Sequence, residues 1–299
     1  MYNPSRASFD GLSSFSLIGD FGMHFFNTPD GATLAFKDDG EGLPLLALAG
    51  LTRDSRDFDY MAQHLPHVRL IRLDSRGRGR SAWTGPDTYT VAQEAHDALA
   101  LLDHLGLEKA AIIGSSRGGL LAMVIAATHP ERVLGICLND VGPVLERTGL
   151  ERIGTYLGIA PTLKTLEEVA DRLPSTMPGF HGVPAFRWDE EAVRHFVQYD
   201  GHVGLTYDPA LRVAFETAMA APLVDLWPFF DACAGLPLAV IRGVHSDVLT
   251  AETLQAMRQR RPDACCAEIP DRGHIPFLDE AESLHCIHTW LAQLSTSGC

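Results

Sequence analysis

The sequence predicts an α/β fold in which a mostly parallel, eight-stranded sheet is flanked by helices. Short, nearly continuous apolar runs alternate with segments of 3.6-residue periodicity, which is typical of buried parallel strands connected by helices. The predicted strands span 22–26, 33–37, 45–49, 68–73, 110–113, 133–138, 238–241 and 265–269. The main predicted helices span 55–64, 91–105, 120–128, 251–259 and 280–294.

Two regions depart from this parallel alternation. The first two strands are separated by Thr-Pro-Asp-Gly at 28–31, and a short turn of this composition favours an antiparallel hairpin. Between 142 and 230, prolines recur among short helical patterns such as 163–173 and 190–199. We interpret this stretch as a helical cap inserted after strand six. The remaining segments are a core, formed by 22–141 and 231–299, and a serine-rich N-terminal arm at 1–21.

The composition limits the classes of partner and the compartment. Twenty-four basic against 38 acidic residues give a net charge of −14, and a field of this sign opposes nucleic acid and anionic membranes. Six scattered cysteines do not resemble a disulfide framework. No apolar window is long enough for a membrane span, and the N-terminus does not resemble a signal peptide. We expect a cytoplasmic monomer or homodimer whose partner is a small molecule, without nucleic-acid or membrane binding.

The candidate nucleophile is Ser116, which lies in Gly-Ser-Ser-Arg-Gly at 114–118. The pattern G-x-S-x-G is weak by itself, but here it follows a predicted strand directly and precedes a predicted helix. Such a sharp turn needs small neighbours and lifts the serine hydroxyl above the sheet at the helix N-terminus. The small neighbours are two elbow glycines, Gly114 and Gly118. A glycine-rich turn without chemistry is the alternative, and the strand–turn–helix context disfavours it.

A serine hydroxyl becomes a strong nucleophile when a base removes its proton, and we expect that base to be His274. His274 directly follows the last predicted strand, at the sheet edge that also carries Ser116. The acid that orients such a histidine is expected after the preceding strand, where Asp247 is the first choice. Asp140, which follows the strand after the elbow, is the second candidate. For Asp140 a capping role at the turn into the insertion is favoured.

Attack by Ser116 on a carbonyl group would create an oxyanion that needs two N–H donors. We expect one donor to be the backbone N–H of Arg117, the residue after the nucleophile. The second is expected from the loop that follows the strand 45–49, where Gly50 allows close approach of the chain. The backbone N–H of Leu51 is the candidate.

With these residues the sequence resembles the α/β-hydrolase fold-1 superfamily of cap-bearing serine esterases, lactonases and C–C hydrolases. The resemblance covers residue 22 to the C-terminus and includes Asp-Ser-Arg-Gly-Arg-Gly-Arg-Ser at 74–81, similar to the family's D-x-R-G-x-G-x-S turn. Pro-Glu-Arg-Val at 130–133 also contributes. The resemblance implies the α/β-hydrolase fold, the order serine, acid, histidine, and a cap over the site. The family's usual His-Gly pair is Ala49-Gly50 here, which keeps a backbone donor but removes the histidine's orienting hydrogen bonds.

The resemblance implies hydrolysis of a carboxylic ester or lactone of a small molecule through an acyl-enzyme, without a cofactor. C–C bond hydrolysis or cofactor-free chemistry at the same site is one alternative, and a non-catalytic ligand receptor is another. The thirteen histidines form no H-E-x-x-H motif, and no G-x-G-x-x-G opens a helix. We therefore expect neither a metal nor a nucleotide site.

Substrate recognition is the least determined feature. Arg117 carries a cation beside the nucleophile that could bind a substrate carboxylate, although pairing with an acidic residue of the cap or core is favoured. Aromatic side chains of the insertion could line the pocket, although such residues more often pack against the core. The candidate substrate-binding residues are Arg117, Trp188, Tyr199 and Tyr207.

Overall fold

The computed structural model describes residues 22–222 and 224–296, so the predicted arm at 1–21 lies outside the described residues. The strands are β1 (Met23–Asn27), β2 (Thr33–Asp39), β3 (Leu43–Leu48), β4 (Val68–Leu73), β5 (Ala110–Ser115), β6 (Val133–Asn139), β7 (Phe196–Tyr199), β8 (His202–Leu205), β9 (Leu238–Gly243) and β10 (Cys265–Ile269). Eight of them form one sheet in the order β1-β2-β4-β3-β5-β6-β9-β10. Strand β2 is antiparallel to β1 and β4, and the other neighbouring pairs are parallel. The predicted mostly parallel eight-stranded sheet and its antiparallel N-terminal hairpin are confirmed.

Helices cover both faces of this sheet. The described helices are α1 (Asp59–Ala62), α2 (Val91–His104), α3 (Arg117–Thr128), α4 (Arg147–Tyr156), α5 (Leu166–Thr176), α6 (Ala185–His195), α7 (Leu211–Ala220), α8 (Trp227–Asp231), α9 (Ala251–Arg260) and α10 (Ala281–Thr296). Apolar residues of α2, α3 and α9 share one buried cluster with the sheet, and residues of α1 and α10 share a second. Within 22–222 and 224–296, none of these helices combines the length and apolarity needed to cross a bilayer.

Strand β3 shows why the apolar runs of the core are nearly continuous. Leu46 and Leu48 belong to the cluster with α2 and α3, whereas Leu45 and Ala47 belong to the cluster with α1 and α10. All four are fully buried, because side chains alternate between faces and both faces are covered. Parallel strands β3, β5, β6 and β9 end at one edge of the sheet, and the loops that follow them meet there.

Between β6 and β9 the chain leaves the sheet, and we call residues 142–230 the insertion. It carries α4 to α7, most of α8 and a two-stranded hairpin of β7 and β8. The predicted helical pattern over 190–199 is wrong in its second half, since α6 ends at His195 and β7 begins at Phe196. An Asp-Gly turn at 200–201 closes the hairpin, with Gly201 at a φ of 71°. Asp-Gly between short apolar runs is a strong hairpin signal that the helical periodicity obscured.

Candidate active site

Ser116 lies in the sharp turn between β5 and α3, at the carboxyl edge of the sheet. Its backbone has a φ of 49° and a ψ of −113°, which is strained for a residue with a side chain. The Ser116 N–H donates to Asn139 O at the end of β6, at 2.9 Å. This hydrogen bond ties the turn to the neighbouring strand and fixes the position of the serine.

The two elbow glycines are required by lack of space. A Cβ at Gly114 would lie 2.3 Å from the carbonyl carbon of Gly118. A Cβ at Gly118 would lie 1.9 Å from Leu48 O at the end of β3. Neither position accepts a side chain unless backbone moves. The close approach of α3 to β3 also brings the loop after β3 next to Ser116.

His274 connects Ser116 to Asp140 through two hydrogen bonds. His274 Nε2 is 2.9 Å from Ser116 Oγ, and His274 Nδ1 is 2.7 Å from Asp140 Oδ2. When Nδ1–H donates to the carboxylate, Nε2 is free to accept the serine proton. The arrangement can therefore move a proton from Ser116 to His274, with Asp140 stabilising the imidazolium.

The carboxylate of Asp140 is fully buried and is held at both oxygens. Oδ1 accepts a hydrogen bond from the Gly243 N–H at 2.9 Å, and Oδ2 accepts one from the Ser246 hydroxyl at 2.6 Å, besides the bond from His274. Asp140 has a φ of 57°, in the left-handed region that aspartate tolerates better than most residues. A Cβ at Gly243 would lie 2.4 Å from Gly273 O, so glycine there lets the loop that carries His274 approach β9.

The structure does not place Asp247 against His274, and the sequence-based choice of Asp247 as its partner is wrong. Asp247 lies after β9 and accepts two hydrogen bonds from Arg152 of α4, from Nε at 2.5 Å and from Nη2 at 2.8 Å. Its side chain is 33% exposed and is turned toward the insertion. Asp140, the second candidate, is the carboxylate within hydrogen-bond reach of Nδ1 because β6 ends directly beside the histidine loop.

The two predicted oxyanion donors, the backbone N–H groups of Leu51 and Arg117, follow β3 and β5. Leu51 lies in a turn closed by a hydrogen bond from Arg53 N–H to Gly50 O at 3.1 Å, and Arg117 begins α3. Among the residues that the structure describes, no protein acceptor receives the N–H of Leu51 or of Arg117. The first N–H groups of a helix are without intrahelical partners and attract anions.

The side chain of Arg117 is bound to a buried acidic residue of the core. Its Nε and Nη2 donate to Glu94 at 2.8 Å each, and Nη2 also donates to Tyr89 O at 2.9 Å. The favoured interpretation, in which Arg117 pairs with an acidic residue of the core, is observed, and this pair occupies the guanidinium that was the candidate for a substrate carboxylate. Glu94 comes from α2, so this pair connects the helix after the elbow to a second helix on the same face of the sheet.

The three aromatic candidates differ in position. Trp188 is buried in a cluster that joins the insertion to Tyr60 and Phe277 of the core. Tyr199 is exposed and stacks on His202, with ring centroids 4.9 Å apart. Tyr207 is buried in a cluster against which the side chain of Leu51 also packs.

Two features of the site were missed or ranked too low from the sequence, the use of Asp140 and the buried Glu94. A signal for Asp140 was present, since it directly follows the strand that pairs with β5 and so must emerge beside Ser116. The signal for Glu94 was weaker. It shares the buried face of α2 with Ala98 and Leu101, and an acidic residue at such a position needs a cationic partner.

Comparison with known proteins identifies the family. A family model described as the alpha/beta hydrolase fold matches residues 44–281. The chain is 39% identical over 249 residues to a 3-hydroxybutyrate-oligomer hydrolase of Cupriavidus necator, which covers 80% of this chain and 85% of that protein. It is 34% identical over 260 residues to a 2-hydroxymuconate semialdehyde hydrolase of Pseudomonas putida, which covers 82% and 85%. The crystal structure of an alpha/beta hydrolase from Novosphingobium aromaticivorans matches with a TM-score of 0.85 and 37% identity, over 91% of this chain and 98% of that chain. The chain therefore belongs to the α/β-hydrolase family of enzymes.

Proposed function

We propose that the protein is a serine hydrolase of carboxylic esters, with Ser116 as nucleophile, His274 as general base and Asp140 as the orienting acid. The observation that carries this proposal is the unbroken hydrogen-bond chain from Ser116 Oγ through His274 to the buried Asp140 carboxylate. The strained backbone of Ser116 supports it, because such strain concentrates at functional sites.

The reaction follows from this geometry in two half-reactions. His274 Nε2 takes the proton of Ser116 as Oγ attacks the acyl carbon, and the carbonyl oxygen becomes an oxyanion on the N–H groups of Leu51 and Arg117. The imidazolium then protonates the departing alcohol oxygen, which leaves an acyl group on Ser116. Water attacks this acyl-enzyme by the same steps, with His274 taking a water proton and returning it to Ser116.

The proposed substrate class is a small ester built from hydroxy acids. The relative from Cupriavidus necator, matched over most of both chains, is named for oligomers of 3-hydroxybutyrate, in which ester bonds join hydroxy acids. We also propose that the insertion acts as a cap. Its first helix places Arg152 on Asp247, in the same loop that supplies Ser246 to Asp140, so the insertion contacts the rim of the site.

A second candidate is hydrolysis of a C–C bond at the same site. The relative from Pseudomonas putida is named for a semialdehyde and is also matched over most of both chains. Arg117 does not add support, because its guanidinium is bound to Glu94. The two reactions are distinguished by turnover of a 3-hydroxybutyrate dimer against a dienoic ring-cleavage product.

The test compares two adjacent serines. Ser116→Ala should lose nearly the whole catalytic effect, on the order of 10⁶-fold in kcat, and should no longer react with a fluorophosphonate probe. Ser115→Ala is the matched control, since the Ser115 hydroxyl is buried against Asn139 and makes no hydrogen bond to His274. Ser115→Ala should keep most of its activity on the 3-hydroxybutyrate dimer.

Three results would contradict the proposal. Full turnover of the ester by Ser116→Ala would show that Ser116 is not the nucleophile. Faster turnover of the ring-cleavage product than of any ester would select C–C hydrolysis. Folded wild-type protein that neither reacts with the probe nor turns over a substrate would instead indicate a ligand receptor.

A further inference from the structure

A buried ionic cluster outside the Ser116–His274–Asp140 chain joins the two candidate oxyanion donors. It consists of Arg78, from the turn after β4, Glu94 on α2 and Arg117 at the start of α3. Arg78 and Glu94 are each only 1% exposed. Arg117 is 16% exposed. Burial of charges is costly unless each is paired in good geometry, so this arrangement needs a physical explanation.

One end of the cluster holds the turn that contains Leu51. Arg78 Nε donates to Leu51 O at 2.8 Å, and Arg78 Nη1 donates to Glu94 Oε1 at 2.9 Å and to Arg76 O at 2.7 Å. Ala49 and Gly50, which precede Leu51, have no polar side-chain atoms with which to orient this turn. The bond from Arg78 is therefore a side-chain hydrogen bond to the Leu51–Thr52 peptide, which directly follows the N–H of Leu51.

The other end holds the residue that supplies the second donor. Arg117 presents its backbone N–H at the start of α3, while its guanidinium binds both oxygens of Glu94. Oε1 of Glu94 is shared by Arg78 and Arg117. A single carboxylate thus fixes Leu51 through one arginine and Arg117 through another.

The charges of this cluster also keep Glu94 bound to both arginines. Burial by itself would raise the pKa of Glu94, yet the guanidinium groups of Arg117 and Arg78 outweigh that effect and hold it below the ordinary value. Glu94 is therefore ionised at neutral pH, and two cations face one anion. The cluster therefore carries a net positive charge, which favours a developing anion nearby.

We propose that Glu94 is a positioning residue that sets the spacing of the Leu51 and Arg117 N–H groups through Arg78 and the Arg117 side chain. This inference rests on the proposed function, because the two N–H groups matter only if an oxyanion forms at Ser116. Hydrogen bonds to an oxyanion depend steeply on placement, and a misplacement of about 1 Å costs up to about 10²-fold in rate.

The experiment replaces Glu94 by an amide of the same size. Glu94→Gln is compared with Asp97→Asn, which lies one turn further along α2. Asp97 is equally buried and binds Arg76 with two hydrogen bonds of 2.6 Å, but neither Leu51 nor Arg117. The measurements are kcat and KM for para-nitrophenyl acetate, the melting temperature, and inhibition by a trifluoromethyl ketone. The ketone's tetrahedral adduct with Ser116 carries a negatively charged oxygen that reports on the two donors.

Glu94→Gln should lower kcat about 10- to 100-fold and weaken ketone inhibition in proportion, with KM little changed. Both variants should lower the melting temperature, because each removes a charge from a buried ion pair. Asp97→Asn should nevertheless keep kcat and ketone inhibition near the wild-type values. Equal kcat in the two variants, or a loss confined to KM, would overturn the inference while the proposed function stands.

Arg78→Lys keeps the test decisive if Glu94→Gln does not fold. Lysine keeps a positive charge beside Glu94, but one ammonium group cannot reach Glu94, Leu51 O and Arg76 O together. It should lower kcat with KM little changed, and an unchanged kcat would overturn the inference. Wild-type protein that neither hydrolyses the ester nor reacts with a fluorophosphonate at Ser116 would overturn the proposed function and this inference with it.

Discussion

Asp140 and Asp247 follow neighbouring strands of the sheet, yet their carboxylates lie in different environments. Asp140 is fully buried after β6 and accepts hydrogen bonds from a backbone N–H, from Ser246 and from His274. Asp247, after β9, has a 33% exposed side chain and accepts two hydrogen bonds from Arg152 of the insertion. Two acids at the same sheet edge are therefore bound to different parts of the molecule.

The difference shows that the loop after β9 supports an acid from another strand. Ser246, one residue before Asp247, donates its hydroxyl to Asp140 and accepts hydrogen bonds from the N–H groups of Val248 and Leu249. A buried charge interacts with its partners at low dielectric, whereas a partly exposed pair is weakened by water and salt. Asp140 is thus suited to hold a histidine, and Asp247 to contact the insertion.

The largest effect that separates the two acids is expected from Asp140→Asn. An amide cannot stabilise an imidazolium and favours the wrong histidine tautomer, so kcat on a good ester substrate should fall about 10⁴-fold. Asp247→Asn, assayed on the same ester, is the matched control. A loss no greater for Asp140→Asn than for Asp247→Asn would reverse the assignment of the two carboxylates.

An intermediate effect is expected from Ser246→Ala. This change removes the hydroxyl that donates to Asp140 Oδ2 but leaves the Gly243 N–H and His274 as donors. A hydrogen bond to a charged group contributes roughly 1.5–3 kcal/mol, so kcat should fall about 10- to 100-fold, with KM little changed. Ser246→Thr retains a hydroxyl and should recover part of the loss. Wild-type kcat in folded Ser246→Ala would show that the loop after β9 does not support Asp140.

The smallest effect is expected from Asp247→Asn, and it should appear in stability. A partly exposed ion pair contributes roughly 0–1 kcal/mol, and this one does not contact Ser116. The variant should keep kcat close to the wild-type value and melt slightly earlier at neutral pH. A loss of kcat comparable to that of Asp140→Asn would show that Asp247 also acts on His274.

The pH dependence of that small effect follows from the Arg152 pair. Partial burial would raise the pKa of Asp247, but its hydrogen bonds from Arg152 hold that pKa below the ordinary value. Such a carboxylate stabilises the fold above its unfolded pKa, and the stabilisation is lost as the pH falls through the folded value. The difference in melting temperature between wild type and Asp247→Asn should therefore shrink below about pH 4. An equal difference at neutral and acid pH would show that the pair is not its source.

Local patterns predicted the core of the fold but not every element of the insertion. The core strands were placed to within about two residues because burial on both faces leaves an apolar run that is easily recognised. The hairpin of β7 and β8 was missed because Phe196 continues the apolar spacing of α6, and the strand pairing that stops the helix is not local. The acid was misassigned because Asp140 and Asp247 both follow strands that end at one edge of the sheet.

The sequence by itself determined the mostly parallel sheet, the strand–turn–helix around Ser116, and the position of His274 on a loop at the same sheet edge. These features depend on periodicity and on glycines at fixed offsets, which are local properties of the chain. Only the tertiary structure decided that Asp140 meets His274 and that Glu94 holds Arg117. Both contacts join residues from separate elements. They depend on strand register and on the burial of side chains, which cannot be predicted from residue spacing along the chain.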